Sequence, residues 1–317
     1  MTEPVLEIED LSISFGPAKH RVTIVHEISL RIDRGEIVGV VGESGSGKTL
    51  TSMAASDLLP AGAHRDATKW RFEGTDLMDA NRAQRAAALG GKLGVVFQDP
   101  MSSLNPARRV GSQLSDAARF WGKRSRSDAR SDVIDRLRRV RIASPEQRVD
   151  NYPHEFSGGM RQRAMIAMGL MTTPSLIVAD EPTTALDVTV QADVMELIKE
   201  LNETEGTSVL LVSHNIALIA EVCHRVLVMY AGRIVEEVAA SDLATSARHP
   251  YTRALIASVP SVDADPSQEL AAIGGVPPDP GHLPPGCAFA DRCPLVTDRC
   301  RVERPELVNG VACWEVD

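Results

Sequence analysis

Apolar and polar positions alternate in two long stretches near the start of the chain, VLEIEDLSISF and HRVTIVHEISLRID. A period of two, rich in Val and Ile, predicts antiparallel strands with one face on a core. The pattern then changes. GEIVGVVG is apolar almost throughout, as suits a strand buried on both faces of a parallel sheet. The same continuous pattern returns at LGVVFQ, SLIVADE, SVLLVSH and RVLVMYAG. Stretches of helical spacing lie between these runs, among them TLTSMAASDLL and VTVQADVMELIKELNE. Strand and helix in alternation predict a parallel sheet with crossover helices.

Two regions break that rhythm. Residues 108 to 150 carry no buried-strand pattern, while RSDARSDVIDRLRRV has helical spacing, which predicts a helical subdomain inserted over about residues 99–160. From about residue 256 the chain turns rich in Pro, Gly and Asp, in VPSVDADPSQ and GGVPPDPGHLPPG. This reads as a linker entering a small irregular appendage. The expected organisation is a main domain over residues 1–255 and a cysteine-containing extension over 256–317.

Composition narrows the class. Of 317 residues 43% are hydrophobic and 24% charged, in the range of soluble globular chains. A net charge of -9 argues against coating nucleic acid through bulk positive charge, and no nucleic-acid partner is expected. The basic stretch GKRSRSDARSDVIDRLRRVR has acids mixed into it and reads as a solvated helix face. No apolar run approaches the ~18 residues needed to span a bilayer. The start, MTEPVLEIED, is acidic and has no apolar segment, so no signal peptide is expected. A cytosolic chain keeps its thiols reduced, which makes disulfides a poor account of its cysteines.

The chemistry begins at GESGSGKT, Gly42 to Thr49, which fits G-x-x-x-x-G-K-[ST] between a buried strand and a helix. Its residues Gly42, Glu43, Ser44, Gly45, Ser46, Gly47, Lys48 and Thr49, with Leu50 behind them, are the candidate nucleotide-binding loop, which alone does not say which nucleotide. The glycines let the backbone curl so that N–H groups point at phosphate oxygens, and the helix N-terminus adds partial positive charge. Lys48 would reach the outer phosphates and the Thr49 hydroxyl would ligate Mg²⁺. In SLIVADEP, Asp180 ends a hydrophobic strand, where a carboxylate can hold the Mg²⁺ shell. Glu181 follows it and can orient or deprotonate an attacking water.

FSGGMRQR lies between those sites, VFQDP before it, and TTALD and LVSHN after them. In this order the set resembles the ATP-binding cassette (ABC) ATPases over residues 5 to about 245. The resemblance implies an α/β P-loop NTPase core of ABC type, with an N-terminal antiparallel β subdomain, an inserted helical subdomain and a small C-terminal extension. It assigns Phe15 to stacking on adenine, and Gln98 to a Mg²⁺-binding role that also senses a membrane partner. Ser157, Gly158, Gly159 and Met160 become the signature that meets the ATP of a partner subunit. Asp187 becomes the D-loop aspartate and His214 the switch histidine at the γ-phosphate. Physics agrees at the signature, because SGG opens a helix whose free N–H groups form an anion site. Phe156 and Met160 stand where leucine and glutamine are commoner. SGGMRQR, QDPMSSLNP and HPYTRALIASVP resemble the peptide and nickel importer branch.

That branch implies a separate cassette chain at the cytoplasmic face of the cell membrane. It would pair with a like chain, identical or paralogous, beneath two permeases, with an extracytoplasmic binding protein supplying substrate. A dipeptide or oligopeptide importer is the leading expectation. The alternatives are nickel or another small solute, and a soluble cassette acting on ribosomes or DNA.

Four of the five cysteines, Cys287, Cys293, Cys300 and Cys313, crowd into the tail. A Pro-rich segment too short for a good apolar core needs a staple. Four thiolates can hold Zn²⁺ or an iron–sulfur cluster, though this tail lacks the tight C-x2-C pairs usual for zinc. GCAFADRCPLVTDRCRVERPEL with ACW also resembles the extension of peptide-importer ATPases, some of which carry a [4Fe–4S] cluster. Arg292, Arg299 and Arg301 are read as offsets for cluster charge or as plain surface residues. The expected role is structural or regulatory, with nothing in the sequence placing the tail near the phosphates. Cys223 reads as a buried small hydrophobe.

Overall fold

In the computed structural model, residues 3–99, 103–184, 186–259 and 273–316 are described. The expected linker VPSVDADPSQ lies, apart from its first residue, outside them. Two sheets organise the chain. The first is antiparallel and pairs β1 (Leu6–Phe15) with β2 (Val22–Ile32), β4 (Ala63–Asp66) and β5 (Lys69–Phe72), and β5 with β6 (Thr75–Asp76). The second has the order β11-β10-β3-β9-β8-β7, built from β3 (Ile37–Val41), β7 (Leu93–Val96), β8 (Leu176–Asp180), β9 (Ser208–Ser213), β10 (Arg225–Tyr230) and β11 (Arg233–Ala239). Its strands are parallel except for the antiparallel β10–β11 edge.

The continuous apolar runs have a direct cause. Along β3, Ile37 and Val41 pack into one core cluster, while Val38 and Val40 pack into the other. In β9, Val209 and Leu211 face the first cluster, and Leu210 and Val212 the second. A strand with a core on each side leaves no position for a polar residue until it ends. The chemistry therefore collects where these strands stop.

Among the described residues no strand interrupts the chain between β7 and β8. Helices Val110–Phe120 and Arg126–Arg139 lie there, followed by the helix Gly158–Gly169. Several arginines of this region are paired. Arg124 meets Asp132, Arg130 meets Asp150, Arg141 meets Glu196 and Glu200, and the buried Arg136 meets Glu205 at 2.7 Å. Pairing of this density is a surface of ion pairs, as the mixed charge predicts.

The helix after the phosphate loop is shorter than its sequence suggests. It spans Lys48–Ala55, and Asp57 beyond it takes a left-handed φ of 58°. Strands β4 to β6 have no counterpart in the sequence reading. They are two to four residues long and largely polar. Glu73 and Gly74, both at positive φ, make the β5–β6 turn.

Candidate ATP site and the tail that reaches it

The buried strand β3 delivers Gly42 to the start of the loop. A Cβ there would lie 2.1 Å from the Met229 carbonyl oxygen, so the close approach of β10 demands glycine. Gly47 caps the helix at φ 99° with no side-chain hydrogen bond, leaving the first N–H groups of that helix for a ligand. The Ser46 hydroxyl is buried in the loop without a partner. Lys48, only 5% exposed, donates to the carbonyls of Gly42 at 2.8 Å and Glu43 at 2.9 Å. Burial lowers its pKa, and the charges of Glu181, Asp180 and Glu43 work against that shift. A free-ended helix, an orphaned hydroxyl and a cation folded onto its own loop together fit a phosphate chain.

The carboxylates stand at the end of β8. Asp180 accepts from the Thr49 and Ser52 hydroxyls, each at 3.3 Å. Burial raises its pKa and the neighbouring Glu181 charge adds to the rise. Such a carboxylate, faced by hydroxyls and beside a second acid, suits a hard divalent cation. Glu181 sits at a left-handed φ of 46°, with its N–H held by the Val212 carbonyl at 2.9 Å. Its Oε2 accepts from Gln98 Nε2 at 3.1 Å and from Thr184 Oγ1 at 2.8 Å. His214 Nδ1 lies 3.3 Å from the same oxygen. Residues 83 positions before and 33 after Glu181 in the sequence thus converge on one carboxylate oxygen. Positive φ at a non-glycine residue is strained, and strain of this kind gathers at functional positions.

The signature residues form a second group. Ser157 caps the helix Gly158–Gly169 and accepts from the Met160 N–H at 3.3 Å. Asp187 caps the helix Val188–Glu205 and accepts from Val190 at 3.0 Å. The two helix starts touch, since a Cβ on Gly159 would lie 2.9 Å from Val190 Cγ1. Phe15 ends β1, half-buried against the cluster beneath it.

Sequence reasoning missed Thr184, Ser52, Tyr251 and Arg292. The first two had a local signal: Ser52 shares the helix face of Thr49, and Thr184 lies one turn beyond Glu181. Tyr251 and Arg292 had none. The Tyr251 hydroxyl accepts from the Glu43 N–H at 2.8 Å. Arg292 grips the Glu43 carboxylate through two bonds of 2.7 and 2.8 Å. This corrects two expectations. The tail does touch the phosphate loop, and Arg292 is neither a surface residue nor a group serving the cysteines. Arg299 and Arg301 are exposed and pair with Glu303 and Asp291.

Cys287, Cys293, Cys300 and Cys313 line one small pocket together with His249, Pro250, Phe289 and Trp314. Burial pushes Cys287 up to about 11, and the other three thiols add to the rise. Backbone N–H groups of Phe289, Leu295 and Glu315 serve the sulfurs of Cys287, Cys293 and Cys313. Among the described residues, however, no three Cys, His, Asp or Glu side chains are close enough to hold one metal ion. The described side chains are therefore not grouped as a zinc staple requires. The thiols line the walls of a pocket rather than meet at a point. Cys223 is buried against β3, and burial raises its thiol, as expected of a core residue.

Comparison with known proteins adds the family. Residues 25–184 match the family described as ABC transporter, and residues 235–300 match the oligopeptide/dipeptide transporter C-terminal region. The chain belongs to the ABC transporter family and is an ABC-type ATPase. Within that family it carries the C-terminal region of the oligopeptide/dipeptide transporters. It is 43% identical over 303 residues to the dipeptide transport ATP-binding protein DppD of Escherichia coli, covering 96% of this chain and 92% of that one. It is 42% identical over 316 residues to a probable peptide ABC transporter ATP-binding protein, y4tR, of Sinorhizobium fredii, covering 98% and 94%. The fold matches cbiO1 of Clostridium perfringens, part of the ABC transporter complex cbiONQ, with a TM-score of 0.66 and 25% identity over 77% of this chain and 92% of that one. It also matches the dimeric, ADP- and Pi-bound cassette MJ0796, with a TM-score of 0.65 and 24% identity over 74% and 98%.

Proposed function

We propose that this chain is the ATP-hydrolysing subunit that powers import of dipeptides or oligopeptides across the cytoplasmic membrane. The observation that carries the reading is the convergence of Gln98, Thr184 and His214 on Glu181 Oε2, beside Asp180 and the Lys48 loop. The peptide class follows from the relatives, which are named for dipeptide, oligopeptide or peptide transport. None of those names favours nickel, ribosomes or DNA. No described helix is long and apolar enough to cross a membrane. The relatives are named as ATP-binding proteins of transport systems, which supports permease partners at whose cytoplasmic face this chain docks.

Lys48, the loop N–H groups and Ser46 bind the phosphates. Thr49, Asp180 and Gln98 would hold Mg²⁺, which supplies charge neutralisation on the phosphate oxygens. Glu181 takes the proton of the attacking water, and the hydrogen bonds of Gln98 and Thr184 fix the oxygen that does so. His214 and Phe15 meet the γ-phosphate and adenine. Ser157 to Met160, with Asp187, face the nucleotide of a second cassette. The division into residues 1–255 and 256–317 belongs to this reading. So does a [4Fe–4S] cluster spread across the four tail cysteines, supported by their shared pocket and the N–H groups aimed at three of the sulfurs.

Glu181→Gln tests the catalytic reading. The variant should bind ATP, lose hydrolysis by about a hundredfold or more, and hold two cassettes together. Near-normal turnover in the assembled transporter would refute it. Iron and acid-labile sulfide, assayed after oxygen-free purification, test the cluster. A colourless protein without either would end that part of the proposal.

A further inference from the structure

Glu43 is a junction. Its carbonyl accepts from Lys48, its N–H is held by the Tyr251 hydroxyl, and its carboxylate is held by Arg292. Two of those three anchors come from the last 70 residues of the chain.

Arg292 is built for this contact. Its side chain is 4% exposed. Its donors are all engaged: Nε with Gly274 O, one terminal nitrogen with Glu43 Oε2 and Tyr230 Oη, the other with Glu43 Oε1 and Ile273 O. Beneath the guanidinium lies an aromatic floor of Tyr230 and Phe289, at 5.7 and 5.8 Å. The two-bond contact with Glu43 raises the Arg292 pKa above its ordinary value. A fork of this kind fixes both the position and the plane of a carboxylate.

The loop needs such an anchor. Glu43 places a negative charge in the loop that must receive phosphates, near enough to act on Lys48. Unpaired, it would repel the triphosphate and compete for Lys48. The partner is also tied to the cysteines. Arg292 precedes Cys293 directly, and Pro250, which precedes Tyr251, lines the cysteine pocket. Both contacts on Glu43 therefore start one residue away from that pocket.

We propose that Arg292 is a positioning residue for the ATP site, and that through its fork on Glu43 the folded state of the cysteine-bearing tail sets the affinity for nucleotide. The proposal rests on the ATP-site reading above. Coupling of this kind is reciprocal, so nucleotide must stabilise the tail as much as the tail stabilises nucleotide binding.

Titration of the full chain with a fluorescent adenine nucleotide tests the first half. Arg292→Ala should weaken binding about tenfold. Arg292→Ala combined with Glu43→Gln should recover most of that loss, because the unpaired charge is gone. A double variant as weak as Arg292→Ala would mean that Arg292 acts only as a structural support, and would overturn the proposal. Lys48→Ala separates the readings. If it binds like the unaltered chain, the ATP site itself is misassigned. If it loses binding while Arg292→Ala does not, only the coupling is wrong. Hydrogen exchange of residues 286–300 tests the second half and does not depend on Arg292→Ala folding. Nucleotide should slow that exchange in the unaltered chain and leave it unchanged in Glu43→Gln. Equal protection in both would overturn the coupling.

Discussion

The ATP corner and the cysteine tail meet at one ion pair, yet they are held in place by opposite means. The corner sits on β3, β8 and β9, which are packed on both faces and hydrogen-bonded to one another along their length. Its side chains lie at or just beyond the ends of these strands, so the sheet sets their positions. Among its described residues the tail has no strand of its own and two short helical pieces, the 3-10 turn Ala290–Arg292 and the helix Asp298–Val302. What fixes it is a set of side-chain anchors, Arg292 on Glu43 and Phe289 among Tyr230, Tyr251 and His249, with a short run of backbone bonds from residues 310–312 to β11. Backbone order tolerates the loss of one side chain. Anchor order does not. Single substitutions should therefore act on the corner through its chemistry and on the tail through its folding.

The largest effect on nucleotide binding is expected where the corner depends on backbone alone. Gly42→Ala puts a methyl group 2.1 Å from the Met229 carbonyl oxygen, a contact that neither β3 nor β10 can relieve. The loop must distort, and ATP binding should fall by about a hundredfold or more, equivalent to a cost near 3 kcal/mol. Gly45→Ala is the control. Nothing lies within 4 Å of its new methyl group, and only its φ of 81° resists the change, at about 1 kcal/mol. Equal losses in the two variants, measured by nucleotide titration, would show that the loop is soft and that β10 does not shape it.

The tail should respond differently. Phe289 is 1% exposed and touches three aromatic rings of the core side. Phe289→Ala should cost about 3–5 kcal/mol locally. Because Phe289 is the tail ring packed among these core-side rings, proteolysis within residues 286–300 should accelerate while the main unfolding transition stays in place. A downward shift of the whole transition, with no selective cleavage, would mean that tail and core unfold as one unit.

The same contrast explains how much could be read from the sequence. β3, β8 and β9 were legible because burial on two faces leaves an unbroken apolar run. The acid pair was legible because Asp180 and Glu181 end such a run. Gln98 and His214 were assigned to the site only by family resemblance, and their meeting on Glu181 was not foreseen, since nothing local marks two residues on separate strand ends as neighbours. β4 to β6 were missed because strands of two to four residues are too short to establish a period, even where KWRF alternates polar and buried aromatic positions. The Arg292–Glu43 pair spans 249 positions and left no trace at all. The charge of Arg292 was visible, but its burial was a property of the docked tail.

The smallest expected effect lies at the seam between the two regions and is read through pH. His26, on β2, lines a cavity shared with the tail residues Ala288, Arg304 and Pro305. Its Nε2 is buried without a partner. Burial lowers its pKa from 6.5, and the Arg233 charge lowers it further, while Glu27 acts the other way and Arg304 adds slightly to the fall. The folded chain therefore keeps His26 neutral where the unfolded chain takes up a proton. Stability from this group is complete above about pH 6.5 and declines as pH falls below that value toward the lower folded pKa. His26→Gln removes the titration. Between pH 7 and 5.5 the unaltered chain should lose more thermal stability than His26→Gln, with the difference concentrated in tail proteolysis if the seam opens first. Identical pH profiles for the two proteins would place the acid sensitivity elsewhere and leave the seam indifferent to protons.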